Sequence, residues 1–148
     1  MTIFFLSTQS LLDVLGGKGN TFKWLMGAGA RIPMQDVEIS AVSIGQALDT
    51  IQRNTNAVMR KNFERQLTLL VTTVRSSQGV IPFDEGAARI WADLQARTLE
   101  YRKSDGSTTE LSPASRMVVA TALRRGATFV ESSQPYHAVI PDLTIFSP

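Results

Sequence analysis

The segment Ser112-Pro113-Ala114-Ser115-Arg116-Met117-Val118-Val119-Ala120-Thr121-Ala122-Leu123-Arg124-Arg125-Gly126-Ala127-Thr128-Phe129-Val130 carries the most structural information in the chain. A serine followed by proline is a helix start: the hydroxyl caps, and proline fits the first helical position, where its missing N–H costs nothing. From there to about Leu123 the residues are apolar nearly all round, as in a central, buried helix. Arg124 and Arg125 oppose the dipole at its end, and Gly126 closes it. The next four residues, Ala127-Thr128-Phe129-Val130, read as a short strand without polar alternation, the pattern of a buried parallel strand.

The same grammar extends in both directions. Ile3-Phe4-Phe5-Leu6 is a second apolar run, ended by Ser7-Thr8. Leu11, Leu12 and Leu15 follow at helical spacing, stopped by Gly16-Gly17. Phe22, Leu25 and Met26 predict a short helix after an Asn20 cap, and Gly27 to Pro33 a loop. Val37-Glu38-Ile39 reads as a strand, and Ser40 caps a helix carrying Ala41, Ile44, Leu48 and Ile51 on one face. A longer helix holds Met59, Phe63, Leu67, Leu70 and Val74. Val80-Ile81 is a short strand, and Asp84 caps a helix with Ala87, Trp91 and Leu94 inward. Residues 103–109 read as a polar loop, and Leu143 to Phe146 as the last strand. Strands alternate with helices and no hairpin signal is present. The expectation is one domain over residues 1–148, a three-layer α/β fold with a mostly parallel central sheet flanked by helices. Sites in such sheets lie outside the carboxyl ends of the strands, here Leu6-Ser7-Thr8, Ile39-Ser40 and Val130-Glu131-Ser132-Ser133.

Composition narrows the function classes. Of 148 residues, 43% are hydrophobic and 19% charged, which argues against disorder and coiled coil. Cysteine is absent, which excludes disulfides, Cys-rich zinc sites and thiol catalysis. The longest N-terminal apolar run is far below the ~20 residues of a spanning helix, so a cytoplasmic protein without membrane contact is expected. Gly16-Gly17-Lys18-Gly19 lacks the spacing of a phosphate loop, and Gly27-Ala28-Gly29 lacks a third glycine. The single histidine, His137, reads as a surface imidazole.

Taken in order, several short stretches resemble the PIN domain of VapC-type toxin ribonucleases. They are Phe5-Leu6-Ser7-Thr8-Gln9-Ser10-Leu11-Leu12, Ile39-Ser40-Ala41-Val42-Ser43-Ile44-Gly45-Gln46 and Pro82-Phe83-Asp84-Glu85-Gly86-Ala87-Ala88. Leu111-Ser112-Pro113-Ala114-Ser115, Val119 to Leu123, Gly126 to Val130 and Val139 to Pro148 continue the series. The resemblance spans nearly the whole chain. It implies a PIN-like fold and, for active relatives, acidic residues at the strand ends that hold one or two divalent cations for RNA hydrolysis.

Here those acidic positions are neutral. The resemblance places Ser7 at the first-strand aspartate, Gln46 at the helix glutamate, and Ser115 at the aspartate opening the buried helix. Ser133 falls on the later polar position and Tyr136 near a further acidic one, with Gln9 where relatives carry asparagine. Hydroxyls and amides supply oxygen without charge, whereas Mg²⁺ is held chiefly by carboxylates. The expectation is a vestigial pocket of Ser7, Thr8, Gln46, Ser115 and Ser133, with no metal, no cofactor and no catalytic residue. Glu110 and Glu131 are the nearest acids that could rescue Mg²⁺ or Mn²⁺ binding, though each is expected to face solvent.

The resemblance implies a non-catalytic protein that dimerises and binds an antitoxin-like partner, in a plasmid or chromosome stability setting. The Phe63, Leu67, Leu70, Val74 stripe is a candidate docking surface, a role that core burial explains equally well. An alternative is RNA binding without cleavage, through Arg116 beside the pocket and Lys18, Lys23, Arg102 and Lys103 nearby. Another is a residual nuclease with displaced ligands.

Overall fold

The structure is a computed structural model that describes residues 2–75 and 77–148. Its elements are β1 (Phe4–Leu6), α1 (Thr8–Leu15), α2 (Gly19–Met26), β2 (Val37–Ser40), α3 (Ala41–Gln52), α4 (Ala57–Arg75), β3 (Val80–Ile81), α5 (Glu85–Gln95), β4 (Glu100–Arg102), β5 (Thr108–Glu110), α6 (Pro113–Arg125), β6 (Thr128–Val130) and β7 (Ile145–Phe146). Five strands form one parallel sheet in the order β3-β2-β1-β6-β7. The chain therefore winds outward from β1 to β3, then returns to the other side of β1. The strand order reverses between β1 and β6, and the crevice outside their carboxyl ends is the favoured place for a site.

The strands' period of two sorts the core into two layers. Phe5 and Phe129 face the layer that holds Leu94 of α5 and Val118 and Val119 of α6. Leu6, Ile39 and Val130 face the layer built from α1 to α4, including Leu11, Ala47, Leu67 and Val74. Both faces of the sheet are thus covered, which is why β1 is apolar on both sides. The register pairs Phe5 with Glu38, so Glu38 points into the α5/α6 layer as a buried carboxylate. Arg125 meets it there with a two-nitrogen contact, Nε to Oε2 at 3.0 Å and Nη2 to Oε1 at 2.5 Å. That contact holds the guanidinium pKa above its usual value. Arg125 is thus an ion-pair partner and not only a dipole-compensating charge.

Caps at Ser40, Asp84 and Ser112 form as the sequence predicts, each side chain accepting a backbone N–H. Helix α2 departs from expectation: it starts at Gly19, one residue before Asn20, behind Lys18 without a side-chain cap. The larger correction is a hairpin. β4 and β5 pair antiparallel around the loop at 103–107. Asp105 Oδ1 accepts from the Ser107 N–H at 2.9 Å and its hydroxyl at 2.6 Å, and Gly106 takes a φ of +86° that glycine alone adopts freely. Only Tyr101 and Thr109 of this pair are partly shielded from solvent, so no apolar alternation advertised it. In α4, Leu67, Leu70 and Val74 are buried and Phe63 packs against them, so that stripe is core and not a docking surface.

Candidate functional site

Ser7 and Glu131 are the residues that follow β1 and β6, so they flank the reversal point of the sheet. Two hydrogen bonds bind the two strand ends. The Ser7 N–H donates to the Val130 carbonyl at 3.2 Å, and Ser10 Oγ donates to the same carbonyl at 2.7 Å. Above this seam is a cavity of about 300 Å³. Ser7, Thr8, Gln46, Ser112, Ser115, Glu110 and Glu131 line it, with Tyr101 and Tyr136 as aromatic walls. Val118 and Phe129 form part of its apolar floor.

The neutral residues are occupied by helix caps and by hydrogen bonds among side chains of the cavity wall. Ser7 Oγ accepts the Ser10 N–H at 3.0 Å, the cap that starts α1. Thr8 Oγ1 donates to Gln46 Oε1 at 2.6 Å and lies 2.9 Å from Ser43 Oγ. Ser112 Oγ donates to Ser115 Oγ at 2.9 Å. The sequence placed Ser7, Thr8, Gln46 and Ser115 together, and all four line the cavity. Ser133 does not line it: its N–H donates to Ser147 Oγ at 3.1 Å, which joins the strand-end loop to the C-terminal segment.

The two glutamates differ. Glu110 is exposed, 3.9 Å from Arg116. Glu131, expected in solvent, is buried, with 8% of its side chain exposed. Tyr136 Oη donates to its Oε2, and His137 Nε2 lies 3.1 Å from the same oxygen. His137 Nδ1 accepts the Gln134 N–H at 3.3 Å, so the proton sits on Nε2 and points at the carboxylate. His137 is therefore not a surface imidazole; only 12% of its side chain is exposed. The Gln134 and His137 bonds form a capping box for the 3-10 turn Pro135–Val139, which brings Tyr136 and His137 back over the strand end. Burial, then the charge of Glu131, raises the Tyr136 pKa well above its ordinary value, so the phenol is a fixed donor.

None of the basic candidates lines the cavity. Arg116 is buried, and its guanidinium is spent on main-chain carbonyls: Nε to Leu111 at 2.8 Å, and Nη1 to Leu94 at 2.6 Å and Arg97 at 3.1 Å. It ties α5 and the hairpin to α6, a structural duty that the sequence alone did not reveal. Lys18, Lys23, Arg102 and Lys103 are exposed, and Lys18 borders a neighbouring cavity with Gln9 and Asp13. Tyr101 and His137 are the residues the sequence reading missed. Tyr101 is hidden by the unrecognised hairpin. The signal for His137 was its spacing from Glu131, six positions with Pro135 between, which suits a tight return.

Solved structures show what this fold resembles. FitAcB from Neisseria gonorrhoeae matches with a TM-score of 0.73 at 20% identity, over 97% of this chain and 96% of that one. VapBC2 from Rickettsia felis, bound to a DNA fragment from its promoter, matches at 0.74 and 12%, over 99% of both chains. VapBC-5 of Mycobacterium tuberculosis, a member of the VapBC family of toxin–antitoxin systems, matches at 0.59 and 17%, over 99% and 98%. At these identities the likeness is one of fold. No family profile matches the sequence, and no curated protein does.

Proposed function

We propose that this chain is a VapC-like PIN protein without metal-dependent ribonuclease activity, which dimerises and binds an antitoxin-like protein partner in a plasmid or chromosome stability setting. Its structural neighbours come from toxin–antitoxin complexes, which supports the partner. The observation that carries the loss of catalysis is the donor set of the strand-end cavity.

A Mg²⁺ site needs several hard oxygens with negative charge. Ser7, Thr8, Gln46 and Ser115 bring none, and the Oε2 of Glu131 already takes two donors. Glu110 is exposed and leans toward Arg116. Among the described residues, no three His, Asp or Glu side chains gather to hold a metal ion. The residues present do not fit the ion, so no hydrolytic step is derived through it. Nor is a serine–base pair formed, because Ser7, Ser112 and Ser115 hydrogen-bond to no carboxylate or imidazole. An RNA-binding role is less well supported, since Arg116 is consumed internally and no lysine or arginine lines the cavity.

The test is calorimetric titration with Mg²⁺ and Mn²⁺, comparing the native chain with the Ser7→Asp/Gln46→Glu/Ser115→Asp variant. The expected result is no binding by the native chain and binding by the variant. Tight metal binding by the native chain overturns the reading and calls for a chelator-controlled RNA cleavage assay.

A further inference from the structure

The strand-end cavity has a feature that partner docking does not use. Both donors to Glu131 meet one oxygen, Oε2. Oε1 has no hydrogen-bond partner and is not sealed from solvent, and Glu131 lines the cavity. A buried carboxylate held by two neutral donors, with one oxygen free, is a rigid acceptor awaiting an N–H or O–H donor. Glu110 stands at the rim with Arg116 3.9 Å away, and no lysine or arginine lines the cavity beside Glu131. The field in the cavity therefore repels phosphate and attracts N–H groups.

The walls add shape. Tyr101 and Tyr136 stand with ring centroids 5.8 Å apart at 55°, an aromatic corner against which a flat ring can lie. Gln46, which also lines the cavity, accepts from Thr8 through Oε1, which leaves its amide Nε2 as a donor. The volume, about 300 Å³, is at the lower end of small-molecule sites.

We propose that this cavity binds an uncharged, nucleoside-sized heterocycle. A ring N–H donates to Glu131 Oε1, its face lies on the Tyr101/Tyr136 corner, and its phosphorylated forms are rejected. The proposal rests on the reading of the cavity as metal-free, because a divalent ion would neutralise the carboxylates and admit phosphate.

The experiment is titration of the full chain with guanosine, guanosine 5′-monophosphate and spermidine, followed by calorimetry, first in chelator and then in Mg²⁺. Saturable guanosine binding is expected, with the monophosphate weaker by about tenfold or more in chelator. Glu131→Gln should weaken guanosine about tenfold by presenting an amide where the carboxylate stood. Tyr101→Leu leaves both donors of Glu131 in place and should also weaken binding, with an unchanged circular dichroism spectrum. Absence of guanosine binding at millimolar concentration overturns the proposal, as does monophosphate binding equal to guanosine in chelator. Spermidine binding without guanosine binding overturns it in favour of a cation site. Guanosine binding that requires Mg²⁺ overturns both the proposal and the metal-free reading. Mg²⁺ binding by the native chain that leaves guanosine affinity unchanged overturns the metal-free reading alone.

Discussion

Glu38 and Glu131 are two buried glutamates on the same sheet, and they are held in opposite ways. Glu38, in the middle of β2, has both oxygens on the guanidinium of Arg125. Its charge is matched by a permanent cation and nothing about it is left open. Glu131, just past the end of β6, has two donors on one oxygen, none on the other, and lines the cavity. The difference teaches where stability ends and chemistry begins. A carboxylate inside the sheet is closed by its partner, whereas one at the reversal point is oriented but left with capacity to spare.

The strongest way to break the contrast is Arg125→Ala. It strands Glu38 in the α5/α6 layer, and thermal or urea unfolding should show a loss of about 3 kcal/mol, at the lower end for a broken buried pair because Arg125 itself is half-exposed. Tyr136→Phe is the matching lesion at the other glutamate. It removes one donor of two, and the unfolding free energy should fall by about 1–2 kcal/mol. A loss at Tyr136 as large as that at Arg125 would show that Glu131 is closed by its donors just as Glu38 is.

Alkaline pH sharpens the comparison without mutation. Burial and the Glu131 charge hold the Tyr136 phenol above its ordinary pKa of 10.0. Folding thus favours the protonated phenol, and its contribution is complete below pH 10 and falls as pH rises beyond it. Phenolate absorbance from Tyr136 should therefore appear only together with loss of helical signal. The smallest effect belongs to the exposed Asp105, whose pKa the Ser107 hydroxyl and N–H hold below 3.8. The folded state favours its ionised form, so this small contribution is present above pH 3.8 and fades as pH falls further. The Ser107 amide resonance should shift with a midpoint below 3.8, with little change in Tm.

The contrast also marks how much was legible in the sequence. The parallel sheet could be read because strands buried on both faces are apolar without alternation, as in Phe4-Phe5-Leu6 and Thr128-Phe129-Val130. The neutral side of the site was legible through the family resemblance, which set Ser7 and Thr8 at a strand end and Gln46 and Ser115 on α3 and α6. Glu131 was placed at the correct strand end but in the wrong environment, because its burial depends on a 3-10 turn whose capping box uses Gln134 and His137. Arg116 was misjudged for a related reason. Its partners are backbone carbonyls of Leu94, Arg97 and Leu111, which side-chain patterns do not encode.

The sheet order has one more consequence, for how two copies can meet. Its margins are β3 and β7, each two residues long. Such a margin offers another chain hardly more than one ladder step, too little to seed a continuous intermolecular sheet. Strand-to-strand growth, which has no natural stopping point, is thereby disfavoured.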